Sequence, residues 1–520
     1  MKKHNWRLML RRVLNLVFSR LVVTAVLLVL QVVWLFALFY RLADYARWFN
    51  AAGLTLSIIM CLALIRQDST VPEFKISWMI LFAVMPVQGG LLYLLWGNKR
   101  PMLGLRRRQE RAEQAMADTR REDPAAAARL RAADPRAALT ARYLHDYAPA
   151  PLYGGTAVRY YPDGQTMLAD MLPALQSAEH SIFVERFIIG MGEMWGQIHE
   201  ILRRKAADGL DVRVIYDDAG CLSLLPHNYA ELLRAEGIRA FSFNRCVPVL
   251  NLVMNNRDHR KIMVIDGKIG FTGGVNLADE YINHIQKYGC WKDAAVMLQG
   301  EGVRTLTALF LQMWSILKEP EFEAFLADPI PAPAQAQGTA APYGDCPLDG
   351  ERVGEMVYID LLNRARKYIH IMTPYLILDG ELETALKFAA ERGVDVHLIL
   401  PGVPDKRFPY ALAKTHYSAL LDSGVKISEW TPGFVHAKVF VVDDREAVVG
   451  TINLDYRSLY HHFENAVWVT NAPCIRNIES DFQATLEECR TVSNDPKSIW
   501  QGKHLLRATG MLMKVIAPLL

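Results

Sequence analysis

A short pattern, His-x-Lys with an Asp five residues beyond the Lys, occurs twice in this chain of 520 residues. The first copy is His259-Arg260-Lys261 with Asp266, and the second is His436-Ala437-Lys438 with Asp443. Each copy lies in an apolar run of strand character. Each is followed, 17 residues after its His, by an Asn behind a Gly-containing turn: Gly273-Gly274-Val275-Asn276 and Gly450-Thr451-Ile452-Asn453. One triplet alone would be weak. Two in register, with the same continuation, imply a duplicated domain whose two histidines meet at one site.

The residue types fit one kind of chemistry. A neutral imidazole can attack phosphorus and hold a phosphoryl group covalently. A second imidazole can protonate the leaving oxygen and then deprotonate the incoming one. The pentacoordinate transition state of a phosphodiester spreads negative charge over its oxygens. Two Lys ammoniums and the amides of Asn276 and Asn453 are suitable fixed donors for that charge. Alternate residues of a strand share a face, so His259 points with Lys261 and His436 with Lys438. Asp266 and Asp443 lie too far along to share that face of a regular strand.

Here the chain resembles the phospholipase D superfamily, marked by this duplicated motif, and within it the bacterial cardiolipin synthases. The likeness rests on Asn256–Ile262, Phe271–Tyr281, Thr373-Pro374-Tyr375, Thr431–Lys438, Gly450–Ser458 and the closing Ala517-Pro518-Leu519-Leu520. It runs from about Tyr153 to the end. The resemblance implies two α/β sandwich halves sharing one active site, and chemistry without a metal or cofactor. For Asp266 and Asp443 it implies a structural and electrostatic role. For Asp293 and Glu464, which follow the two histidines by 34 and 28 residues, it implies carboxylates that orient the imidazoles. A surface-acid reading of both stands beside that one. Tyr375 and Tyr456-Arg457 either line the site or pack nearby.

The net charge is only +3, which with a membrane anchor argues against nucleic acid as a partner. The distribution of charge is more telling. Residues 1–20 carry six Lys/Arg and no acid, and residues 99–111 carry six with one Glu. Between these clusters are three apolar segments, 21–40, 48–65 and 76–96, the last interrupted by Pro86 and Gln88-Gly89-Gly90. They read as a transmembrane region over 21–97, behind a basic cytosolic N-terminus (1–20). Basic residues at both ends call for an even number of spans. Either one segment is interfacial or re-entrant, or one basic end is translocated. Seven Cys without a CxxC or regular spacing speak against a zinc site or disulfide framework, and fit a catalytic domain in the cytosol.

The remaining chain divides into an Ala/Arg-rich helical linker (98–152), a first half (153–327), a Pro/Ala/Gly-rich linker (328–349) and a second half (350–520). Residues 105–145 read as a surface helix pair broken at Pro124 and Pro135. The halves echo each other in strand–helix order, which predicts an α/β fold in each. The apolar stretch Leu505–Leu520 either lies in the membrane interface or packs on the catalytic domain, the interface being favoured. The expected activity, by resemblance, is cardiolipin synthesis: two phosphatidylglycerol molecules become cardiolipin and glycerol through a phosphohistidine, with His259 as nucleophile and His436 as acid and base. Alternatives are a hydrolytic phospholipase D, transfer to another acceptor alcohol, or a noncatalytic membrane scaffold.

Overall fold

The computed structural model describes residues 26, 29–37, 46–67, 71–97, 103–116, 121, 123–245, 256–317, 322–326 and 329–519. The basic N-terminus 1–20 and half of segment 21–40 lie outside the described residues. Two compact units are present, the first comprising 1–104 with 245–255 and 518–520, the second 105–244 with 256–517.

In the first unit, segment 48–65 falls within a helix, Ala46–Ile65. Segment 76–96 is divided. A helix Pro72–Val84 ends at Met85, and a short helix Pro86–Leu92 leads into a π-turn Tyr93–Gly97. Pro86 explains the break, because it lacks an N–H and its ring collides with the preceding turn. Leu64, Trp78, Phe82 and Leu92 form a small buried cluster. Leu54, Ile58, Ile59, Leu62, Ile76, Ile80 and Val84 face outward. Among the described residues, no helix is long and apolar enough to cross a membrane.

The second unit holds both halves. The first contains β1 (Thr156–Tyr161), β2 (Ser181–Arg186), β3 (Asp211–Asp217), β4 (Arg239–Phe243), β5 (Arg257–Asp258), β6 (Ile262–Ile265), β7 (Ile269–Gly273), β8 (Cys290–Lys292) and β9 (Ala295–Gly300). The second contains β10 (Thr339–Asp345), β11 (Tyr368–Met372), β12 (Asp395–Pro401), β13 (Lys426–Trp430), β14 (Gly433–Val435), β15 (Val439–Val442), β16 (Glu446–Gly450), β17 (His462–Thr470) and β18 (Cys489–Thr491). The main sheets run β1-β9-β7-β6-β2-β3-β4 and β10-β17-β16-β15-β11-β12-β13, the latter extended by β18. The duplication therefore holds strand for strand. The central strands are short β-branched runs, Ile262–Ile265 and Val439–Val442, buried throughout, as a sheet covered on both faces requires.

Two exchanges cross between the halves. β5 of the first half pairs in parallel with β17 of the second, His462 opposite Arg257 and Phe463 opposite Asp258. β14 of the second half pairs in parallel with β8 of the first, Phe434 opposite Trp291 and Val435 opposite Lys292.

Two expectations need correction. Pro124 and Pro135 do not break helices but start them, Pro124–Ala133 and Pro135–Tyr147, behind the capping side chains of Asp123 and Asp134. Nor are these surface helices, since Ala126, Leu130, Ala137, Ala141 and Leu144 enter the core of the second half. The linker 328–349 is shorter than its composition suggests, because Thr339–Asp345 pairs over seven residues with β17. Pro342 is tolerated there on an edge strand. The C-terminal helix His504–Ile516 packs on the catalytic unit: a Cβ on Gly510 would stand 2.4 Å from the Ala411 carbonyl oxygen. Its other face leaves Leu505, Met511 and Leu512 exposed.

Candidate active site

The exchanged strands carry the triplet histidines to their carboxylates. The backbone N–H of His259 donates to the Phe463 carbonyl at 2.9 Å, and that of His436 to the Lys292 carbonyl at 2.6 Å. The residue after each of those carbonyls is an acid. The His259 Nδ1–H donates to Glu464 at 2.8 and 2.9 Å to its two oxygens. The His436 Nδ1–H donates to Asp293 Oδ2 at 2.6 Å. Each imidazole of one half is thus oriented by a carboxylate of the other, leaving Nε2 of both for chemistry. Asp293 and Glu464 are fully buried, so the surface-acid reading falls.

Lys261 and Lys438 bend back to their own histidines. Lys261 Nζ donates to the His259 carbonyl at 2.7 Å, and Lys438 Nζ to that of His436. Arg260, between the two triplet residues, points the other way and donates from Nε to Glu185 at 2.7 Å. This is the alternation expected of extended backbone. Asn276 accepts from the Ile188 N–H at 3.0 Å and donates to the Tyr281 hydroxyl at 2.7 Å. Asn453 is buried, and among the described residues its Oδ1 has no hydrogen-bond partner.

Burial sets the electrostatics. It lowers the pKa of His259 to about 3 and of His436 to about 4, so both imidazoles are neutral. It lowers Lys261 to about 7 and Lys438 to about 8, and each ammonium is among the charges that act on its neighbours: Lys438 depresses Lys261, and Lys261 depresses His436. Burial pushes Asp293 and Glu464 upward, but the imidazole N–H that His436 gives Asp293 and His259 gives Glu464, with Lys438 near Asp293, favour the charged form, and both acids lie below the ordinary carboxylate range.

Asp266 and Asp443 are not brought to the histidines. Each sits in a turn at the far end of its strand with φ of +52° and +51°. Asp266 accepts from the backbone N–H of Glu179, His180 and Ser181 at 2.8, 2.7 and 2.8 Å. Asp443 accepts from those of Arg366, Lys367 and Tyr368 at 2.9, 2.8 and 2.9 Å. The five-residue offset runs the length of β6 or β15, which separates these carboxylates from the imidazoles. Tyr375 donates to Asp405 at 2.7 Å and Tyr456 to the Leu378 carbonyl at 3.4 Å.

Several residues around the imidazoles escaped the sequence reading. Ser458 donates to Glu464 at 2.7 Å, and Thr451 donates to the same carboxylate. Trp291, Tyr281 and Phe434 surround His436, with ring centroids 5.2, 5.6 and 5.9 Å away. Phe187 and His462 flank His259 at 4.9 and 5.5 Å. The signal for His462 and Trp291 was their offset: each stands two residues before a carboxylate that orients an imidazole.

Known proteins resemble this chain along most of its length. The profile described as "Cardiolipin synthase, PLD-like domain" matches residues 171–314 and 358–486, one stretch in each half. The phospholipase D-nuclease N-terminal profile matches residues 55–98. An uncharacterized protein of Streptococcus mutans is 48% identical over 86% of this chain and 96% of its own length. A cardiolipin synthase of Alkalihalophilus pseudofirmus is 31% identical over 84% of this chain and 88% of its own. A phosphatidylserine synthase of Haemophilus influenzae shares the fold at a TM-score of 0.56 and 14% identity, over 74% of this chain and 100% of its own. With a family profile in both halves and relatives aligned along most of its length, the chain belongs to the cardiolipin synthase family of phospholipase D-like proteins.

Proposed function

We propose that this protein is a membrane-associated phosphatidyltransferase that makes cardiolipin and glycerol from two molecules of phosphatidylglycerol. The observation that carries this reading is the exchange of His–carboxylate pairs between the halves, which makes one two-histidine site out of both triplets. The cardiolipin synthases among the relatives supply the substrate class.

In this reading His259 Nε2 attacks phosphorus, and the bond to the departing glycerol oxygen breaks. His436 gives that oxygen its proton. The phosphodiester brings a negative charge that favours the imidazolium this step needs, and Asp293 stabilises it. The hydroxyl of a second phosphatidylglycerol then loses its proton to His436 and attacks, and the P–N bond to His259 breaks. Lys261, Lys438, Asn276 and Asn453 offset the transition-state charge, and no metal or cofactor enters the scheme. Asp266 and Asp443 act through the backbone they hold. Transfer outcompetes hydrolysis where water is kept from the phosphohistidine.

The outward apolar residues of helix Ala46–Ile65 and the exposed Leu505, Met511 and Leu512 support contact with the bilayer. We assign the catalytic halves to the cytosolic side and the region 21–97 to a multi-pass anchor, with two or three spans. Cysteine labelling at positions 66–75 and near 150 in intact cells tests this. Labelling of the latter by an impermeant external reagent overturns the cytosolic placement. The activity itself is tested by adding purified protein to phosphatidylglycerol vesicles. Cardiolipin and glycerol in equal amounts are expected. Phosphatidic acid as the main product would make the protein a hydrolase, and unchanged lipid would leave a scaffold.

A further inference from the structure

His462 has no place in the reaction above, yet it is only 8% exposed, and among the described residues neither ring nitrogen makes a hydrogen bond. A buried imidazole left with one long contact, to the Glu464 carboxylate, is costly and points to a ligand. Its Nδ1 lies 3.6 Å from Glu464 Oε1, while His259 Nδ1 lies 2.8 Å from the same oxygen. One ligand atom from each of the three residues falls within 4.8 Å of the others. Tetrahedral zinc with bonds near 2.1 Å sets its ligand atoms roughly 3.4 Å apart, and the two measured separations fall on either side of that edge.

We propose that His259, His462 and Glu464 form a binding site for a zinc-class divalent ion whose occupancy stops the enzyme. Two imidazoles and one carboxylate are the donors such an ion prefers over magnesium or calcium. On binding, the ion takes the Nδ1 lone pair of His259, and the single proton of the neutral ring moves from Nδ1 to Nε2 by exchange with solvent, with no net proton released. With that proton on Nε2, the lone pair that would attack phosphorus is gone. The other half cannot do this. Trp291 occupies the position of His462, two residues before the acid and opposite the residue two before the triplet His. An indole N–H is a donor only and cannot bind a cation.

The binding claim is independent of the proposed reaction, while the inhibition rests on it. Untagged protein in detergent, free of lipid, is titrated calorimetrically with Zn2+, and with Co2+ followed by visible absorption. One ion per chain is expected. H462F and H462N should each weaken binding at least tenfold, with the melting temperature checked for folding, whereas H436A should leave it unchanged. No stoichiometric ion, or equal affinity in both His462 variants, overturns the site. Zinc should also abolish transfer in wild-type protein, with recovery on chelation. An H462-dependent ion that leaves transfer untouched overturns the inhibitory role. Protein without transferase activity but with the calorimetric result would sink the proposed reaction and not the site.

Discussion

The two halves can be compared position by position. The triplet aspartates match to within 1° in φ, and each accepts from three consecutive backbone amides. Around the imidazoles they diverge. Glu464 is held by two hydroxyls, from Thr451 and Ser458. Asp293 is held by the Ala294 N–H at 2.9 Å and lies so close to Gly274 that a Cβ there would stand 1.9 Å from its Oδ1. Thr451 occupies the corresponding place in the second copy. One imidazole has a histidine beside it and the other a tryptophan. A duplicated fold thus keeps the backbone that delivers the histidines and lets the side chains around them specialise.

The largest effect should come from the imidazoles. H259A and H436A are each expected to lower transfer about 10⁴-fold or more, since groups that act as a unit fail together. Quenching with short-lived substrate exposure distinguishes the roles. A phosphatidyl adduct on His259, accumulating in the H436A protein, fits the assignment; an adduct on His436 alone would reverse it. Activity near wild type in either variant would remove the two-histidine mechanism.

The carboxylates come next. E464Q and D293N keep the shape but lose the charge that fixes the tautomer, and should each cost roughly 10²–10⁴-fold in kcat. Because the pairs cross between halves, E464Q should impair adduct formation at His259 although it lies in the other half. D293N should impair the proton steps of His436. If E464Q instead behaved like H436A in adduct trapping, the crossed pairing would be wrong. G274A is expected to resemble D293N more weakly, by displacing the Asp293 carboxylate.

A pH profile probes both triplet lysines, since burial lowers Lys261 to about 7 as well, and K438M separates the share of the second copy. Burial lowers Lys438 to about 8, against the opposing charges of Asp293, Glu464, Asp455 and Asp405 and with Lys261 nearby. As pH rises through that value the free enzyme loses a cation that faces the phosphodiester. kcat/KM should then fall by about tenfold per pH unit, with the limb for kcat at higher pH because bound substrate favours the charged form. Stability should move the opposite way. The unfolded chain binds the extra proton between about 8 and the ordinary lysine pKa near 10.5, so the Lys438 contribution to folding improves across that window. K438M, neutral throughout, should lose both responses; a kcat/KM limb that persists unaltered in K438M belongs to another group.

How far the sequence reached follows from what was local. The triplets, their Asn and the strand order of each half lie within short stretches, and the repeat made them readable twice. The crossed pairs were not readable from spacing, because His259 and Glu464 are separated by 205 residues and His436 and Asp293 by 143; their acid roles came only from resemblance. Residues 339–345 were hidden by Pro and Gly, although an edge strand accepts both. The helices at 124–147 looked like surface because Ala buries well yet carries little hydrophobic signal. His462 carried only its offset from Glu464 as a signal, because its significance depends on His259 from the other half.

The smallest expected effect on catalysis, and the sharpest test of likeness, lies in the triplet aspartates. Each caps a loop of the same conformation with three charge-assisted bonds, from a residue at positive φ that Asn tolerates and Ala resists. D266N and D443N should each destabilise folding by about 1–3 kcal/mol, since removing the carboxylate charge weakens three amide partners at once. D266A and D443A should cost somewhat more, because Ala adds backbone strain. In denaturant titrations the two positions should agree to within about 1 kcal/mol. The fraction that stays folded should retain kcat close to wild type, because neither carboxylate touches an imidazole. A kcat loss comparable to that of E464Q at either position, in protein shown to be folded, would place that aspartate in the chemistry after all and break the equivalence of the two turns.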